Sequence, residues 1–106
     1  MDSIRLRPFG IVKEIIEELG AEISYYYDDL IFVDNNTFLL CFDDAKQNNL
    51  KLYLNTDCEK GMAKKIRTAI SGAAASREFK ITDLGFFELI PKEGSEEIDI
   101  VFKDNV

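Results

Sequence analysis

The sequence predicts an α+β fold: two helices packed on a mainly antiparallel sheet of about six to seven strands, in the order (β)-α-β-β-β-β-α-β-β-β. Three observations predict it. Two segments place their apolar residues on one side of a 3.6-residue wheel. Short apolar runs, several of them alternating, lie between and after these segments, separated by Asp, Asn and Gly. The chain has 106 residues, 46% of them hydrophobic, which is the size of one domain with a core that needs no disulfide.

Ser3 to Arg7 alternates, with Ile4 and Leu6 opposite Ser3, Arg5 and Arg7, and reads as a short strand. Pro8 suits the first turn of a helix. Phe9, Ile11, Val12, Ile15, Ile16 and Leu19 then share one side of that helix, and Gly20 stands where its C-terminal glycine belongs. Three strands follow, about Glu22–Tyr27, Leu30–Val33 and Thr37–Phe42, with turns at Asp28-Asp29 and Asp34-Asn35-Asn36. Leu50, Leu52 and Leu54 alternate with Lys51, Tyr53 and Asn55 and mark a fourth.

Thr56 and Glu59 match a capping box opening the second helix. Its expected buried face is Met62, Ala63, Ile66, Ala69, Ile70 and Ala73. Three last strands are expected at Phe79–Thr82, Phe86–Ile90 and Ile98–Phe102, the first two separated by a turn at Asp83-Leu84-Gly85. Helix, strands, helix, strands is an order loosely similar to that of bacterial secretion chaperones. No motif accompanies that similarity and no residues carry over from it.

The meander from Ala21 to Asp43 is apolar on more than one face, and register decides which residues go where. A two-residue turn at Asn35-Asn36 would pair Val33 near Phe38. Ile31, Val33, Phe38, Leu40 and Phe42 would then share one face, with Tyr25, Tyr27, Leu30, Phe32, Leu39 and Cys41 on the other. A three-residue turn, Asp34-Asn35-Asn36, flips the third strand. It gathers Tyr25, Tyr27, Leu30, Phe32, Phe38, Leu40 and Phe42 on one face. The three-residue turn is the expectation, because two amphipathic helices can cover a single bulky face.

Charge and composition exclude more than they assign. The net charge is −7, which opposes nucleic-acid backbones and anionic membranes and is more compatible with a basic partner or none. The N-terminal MDSIRLRPFG has no apolar core of a signal peptide, and no apolar run approaches the roughly 20 residues of a membrane helix. A cytoplasmic location with reduced thiols is therefore expected. There is no histidine, hence no Ser-His or Cys-His pair and no imidazole metal ligand.

Candidate chemical groups are few. Cys58 at a helix start could be activated, but Asp57 and Glu59 flank it. Asp28-Asp29, Asp43-Asp44 and Glu96-Glu97 are acidic pairs without the spacing of a calcium loop. Lys60, Lys64, Lys65, Arg67, Arg77 and Lys80 are the only basic concentration. No glycine-rich phosphate loop follows a strand. No catalytic, cofactor-binding or metal residue is assigned.

The expected function is a non-catalytic, small acidic protein-interaction module (adaptor, inhibitor or chaperone-like) with a protein partner or self-association as a homo-oligomer. Tyr26, Ile31, Val33 and Leu39 form the expected interface, left over on the face opposite the main core. The alternatives are a small-molecule site between sheet and helices, lined by Tyr25, Tyr27, Phe32 and Phe38, and a histidine-free enzyme.

Overall fold

The computed structural model describes residues 8–27, 29–43, 46, 48–94 and 97–104, and the expected strand at Ser3–Arg7 lies outside them. Helix α1 (Phe9–Glu18) is followed by strands β1 (Ile23–Tyr27), β2 (Leu30–Val33), β3 (Phe38–Phe42) and β4 (Asn49–Asn55). Helix α2 (Lys60–Ala75) leads to β5 (Lys80–Pro91) and β6 (Ile98–Asp104). The strands form one sheet in sequence order, antiparallel except where α2 crosses over to set β5 parallel to β4. The α+β class and the element order are as the sequence predicts, with six strands among the described residues.

Helix α1 ends as its sequence requires. Gly20 sits at φ 75°, the Gly20 N–H donates to the Glu17 carbonyl at 2.9 Å, and the Ala21 N–H reaches Ile16 at 3.2 Å. This is a Schellman closure, and glycine adopts its left-handed position without a Cβ clash. Val12, Ile15 and Ile16 are buried, while Ile11 faces solvent. Arg77, just past α2, ties the two helices together through Glu18 at 2.7 Å and Glu14 at 3.6 Å.

Helix α2 begins later than expected. The Asn55 carboxamide accepts from the Asp57 N–H at 2.8 Å, and the Cys58 N–H returns to the Asn55 carbonyl. This turn replaces the expected capping box, so Glu59 precedes the first helical residue with no side-chain cap and Cys58 lies before the helix. Ala63, Ile66, Ile70, Ala73 and Ala74 are buried, and the small residues at 73–74 let the helix lie close to the sheet. Met62 and Ala69, expected on that face, are exposed.

The two expected strands Phe79–Thr82 and Phe86–Ile90 are one strand. Leu52 pairs with Asp83 and Tyr53 with Gly85, so Leu84 is an extra residue between consecutive pairs. The predicted turn is a bulge, and Gly85 takes φ 129° beside it. A bulge and a turn share the same glycine signal in sequence. The parallel partner β4, brought alongside by α2, keeps the strand continuous here.

The meander adopts the other register from the one expected. Val33 pairs with Phe38, Phe32 with Leu39, Ile31 with Leu40 and Leu30 with Cys41. Ile31, Val33, Phe38, Leu40 and Phe42 therefore lie under the helices, joined there by Leu50, Leu52 and Leu54. The loop decides this. Asp34, Asn35 and Asn36 all take positive φ, at 48°, 54° and 69°, and the Thr37 N–H closes onto the Val33 carbonyl at 2.9 Å. Asn and Asp tolerate that backbone better than other non-glycine residues.

Candidate functional site

The helix-free face of the sheet is where this fold departs from a simple two-layer arrangement. It carries Phe32, Leu39, Cys41 and Phe87 as a second buried cluster, with Leu30, Tyr53, Leu89 and Ile100 packed around it. Among the described residues no helix lies over it, yet Leu39 and Phe87 are fully buried. The covering comes from aromatic rings. Phe32 on β2 and Phe87 on β5 meet edge to face at 6.2 Å, although β3 and β4 run between them. Three strand spacings span about 14 Å, so both rings lean inward over the intervening strands, where Leu39 lies.

A bulge aims the tyrosines. The β1–β2 register shifts between Ile23 and Tyr25, which leaves Ser24 as the extra residue. Ile23 and Tyr26 thereby both face the helices, and Tyr26 packs on Phe9 at 4.8 Å. Tyr25 and Tyr27 face the other way, stacked at 6.5 Å, with Tyr25 in contact with Phe32. At the opposite edge Phe102 packs on Tyr53 at 4.5 Å. The rim of the helix-free face is thus apolar and wet: Tyr25 is 59% exposed, Tyr27 62%, Ile98 56% and Phe102 43%.

The expected interface residues do not form one surface. Ile31 and Val33 are fully buried beneath the helices, Leu39 is buried on the opposite face, and only Tyr26 is exposed. The expected pocket residues divide too. Tyr25, Tyr27 and Phe32 share the helix-free face, whereas Phe38 lies in the helix-covered core. The register accounts for both outcomes. Sequence reasoning missed Phe87 and Phe102, and the alternation of Phe87, Leu89 and Pro91 with their cross-strand partners Phe102, Ile100 and Ile98 was the signal for them.

The polar candidates are occupied by structure. The Cys41 thiol donates to Asp29 at 3.2 Å, and Asp28 lies outside the described residues. Asp43 accepts from the Asn49 carboxamide at 3.0 Å and from the Lys46 N–H at 3.3 Å, and Asn49 in turn accepts from Thr82 at 2.9 Å. Asp44 and Glu96 also lie outside the described residues, among which no three carboxylates or thiols converge. Arg67 pairs with Asp83 at 2.5 Å and lies 5.6 Å over the Phe86 ring, and Arg77 serves the helix pair. That leaves Lys60, Lys64, Lys65 and Lys80 as exposed cations, spread along α2 and the start of β5.

Cys58 is not primed for nucleophilic work. Burial pushes its thiol above the ordinary range; Arg67 opposes this and Glu59 adds to it. A raised pKa leaves less thiolate at neutral pH, and the thiolate is the nucleophile. Iodoacetamide at pH 7.5 is therefore expected to alkylate Cys58 more slowly than an open thiol, and buried Cys41 more slowly still. Peptide mass mapping over time reads both rates, and a Cys58 that outpaces a free cysteine would reinstate it as a reactive group.

Compared with protein-family models, curated proteins and solved structures, the chain matches none.

Proposed function

We propose that this chain is a non-catalytic protein-interaction module of the cytoplasm, working as an adaptor, inhibitor or chaperone-like protein through the helix-free face of its sheet. One observation carries the reading: Tyr25, Tyr27, Ile98 and Phe102 leave a wet apolar rim around a buried aromatic floor on a single face. Exposed apolar residues at both edges of one face suit a protein contact, and tyrosine supplies large contact area with a polar tip. The net charge of −7 favours a basic partner. The small-molecule alternative loses support because Phe38 and the tyrosines lie on opposite faces.

The test compares two double variants in titrations against a partner purified by affinity capture. Tyr25→Ser/Tyr27→Ser alters the rim, and Lys60→Ser/Lys64→Ser alters the exposed side of α2 as a control. Both sites are exposed, so folding stability should stay within about 0.5 kcal/mol for each substitution. Binding should fall tenfold or more in the tyrosine variant and hold in the lysine variant. The reverse pattern would place the working surface on the helices.

A further inference from the structure

The last strand offers an edge built to meet its own copy. Among the described residues strand β6 has one neighbour, β5, and pairs with it through seven consecutive residues without a register shift. The other edge, β1, is five residues long and interrupted by the Ser24 bulge, a device that discourages further pairing. Hydrogen-bond phase shows which β6 groups point outward. The Lys92 N–H donates to Glu97 at 3.0 Å, and the Phe87 carbonyl accepts from Thr56 on the β4 side. Antiparallel pairs alternate, so Asp99, Val101 and Lys103 bond inward to β5. Ile98, Ile100, Phe102 and Asp104 therefore present their backbone N–H and C=O groups to the open edge.

We infer that two copies of this chain pair antiparallel through β6, about a two-fold axis at Val101, to form one continuous twelve-stranded sheet. Val101 is the midpoint of Ile98–Asp104, so this is the register that engages the whole strand. It sets Ile100 opposite Phe102 of the second copy, and Asp99 opposite Lys103, twice. About eight ladder hydrogen bonds form, with the Asp–Lys pairs at the narrow, non-bonded positions where side chains are closest. The charges already alternate toward that edge. Lys92 lies 3.5 Å from Asp99, and Lys103 lies 3.0 Å from Glu88. Pairing continues the row as Lys92, Asp99, then Lys103 and Glu88 of the other copy.

The inference rests on the interaction-module reading only in making self-association one of its interactions; the helix-free face can fail as a binding surface without affecting it. Edge pairing alone buries less than a standard stable interface, so the dimer is concentration-dependent. The charge of −7 on each copy opposes it at low salt and is screened within about 8 Å at 0.15 M.

Sedimentation equilibrium of the full chain in 0.15 M salt tests the idea. Wild type should pass from 12.1 kDa toward twice that mass as concentration rises. Asp99→Lys and Lys103→Asp should each weaken dimerisation about tenfold, since like charges then face each other twice. An equimolar mixture of the two variants should recover the wild-type mass as a heterodimer, because every opposed pair becomes complementary. So should the double variant Asp99→Lys/Lys103→Asp. Any loss of the Lys92 or Glu88 contacts within one chain would persist in the mixture, which separates pairing from local damage. Tyr25→Ser/Tyr27→Ser should dimerise as wild type does. A monomer at every concentration, single variants that dimerise normally, or a mixture that stays monomeric would each overturn the inference.

Discussion

Phe87→Ala is expected to cost about 3–5 kcal/mol of folding stability, as much as a truncation in the helix-covered core. The size of the effect is the point, because Phe87 lies on the face with no helix among the described residues. A ring on an open sheet face would lose little on truncation. Phe87 is instead fully buried and holds Phe32 edge to face at 6.2 Å. Removing it deletes that pair, worth about 0.5–1.5 kcal/mol by itself, and uncovers Leu39. Urea unfolding followed by circular dichroism should show the midpoint falling by more than 1 M, given a slope of roughly 1–3 kcal/mol per M. Tyr25→Ser, on the exposed rim of the same face, should move it little. Equal, small shifts for both would mean that the second cluster is not a core.

A sheet apolar on both faces must cover both or leave one wet, and this chain does some of each. One face is covered by α1 and α2, which the Arg77 contacts to Glu14 and Glu18 hold together. The other is covered at its centre by its own rings and stays open at its rim. The division follows from strand position. Leu39 on β3 has Phe32 beside it on β2 and Tyr53 beside it on β4, whereas Tyr25 and Tyr27 on β1 have, among the described residues, β2 on one side only. The wet apolar rim is thus the remainder of a core that ran out of strands.

The sequence carried the helices and most strands because their signals are local. The α1 wheel ending at Gly20 and the Leu50-Leu52-Leu54 alternation are complete within a few residues. What it did not carry depended on distant partners. Bulk favours the three-residue turn only on the premise that one face must hold most of it. The premise failed because Phe87, 55 residues beyond Phe32, supplies the second cover. The capping box failed because Asn55 engages the backbone first. The Leu84 bulge looks like a turn in sequence because only β4 shows that the strand continues. The split of the candidate site followed directly from the register: once Val33 pairs with Phe38, Ile31 and Val33 belong to the helices.

Deleting one residue from the Asp34–Thr37 loop is therefore expected to be worse than deleting two. Side chains alternate with period two along a strand. Removing Asn35 alone would swap the faces of β3, drawing Leu39 and Cys41 toward the helices and turning Phe38, Leu40 and Phe42 away. Each misplaced apolar side chain forfeits roughly 1.5–3 kcal/mol, and three or more together approach the whole 5–15 kcal/mol that holds a domain folded. The deletion variant should lose its cooperative urea transition. Replacing all four residues with Asn-Gly keeps the parity, so Val33 still meets Phe38 across a two-residue turn of the type these residues favour. That variant gives up the Asp34 contacts to Glu22 and the Ser24 hydroxyl bond to the Asn35 N–H. Such exposed bonds contribute about 0.5–1.5 kcal/mol each, so it should fold with a lowered midpoint. A stable single-residue deletion would show that β3 slips its register freely, and that neither face of this sheet requires the residues assigned to it.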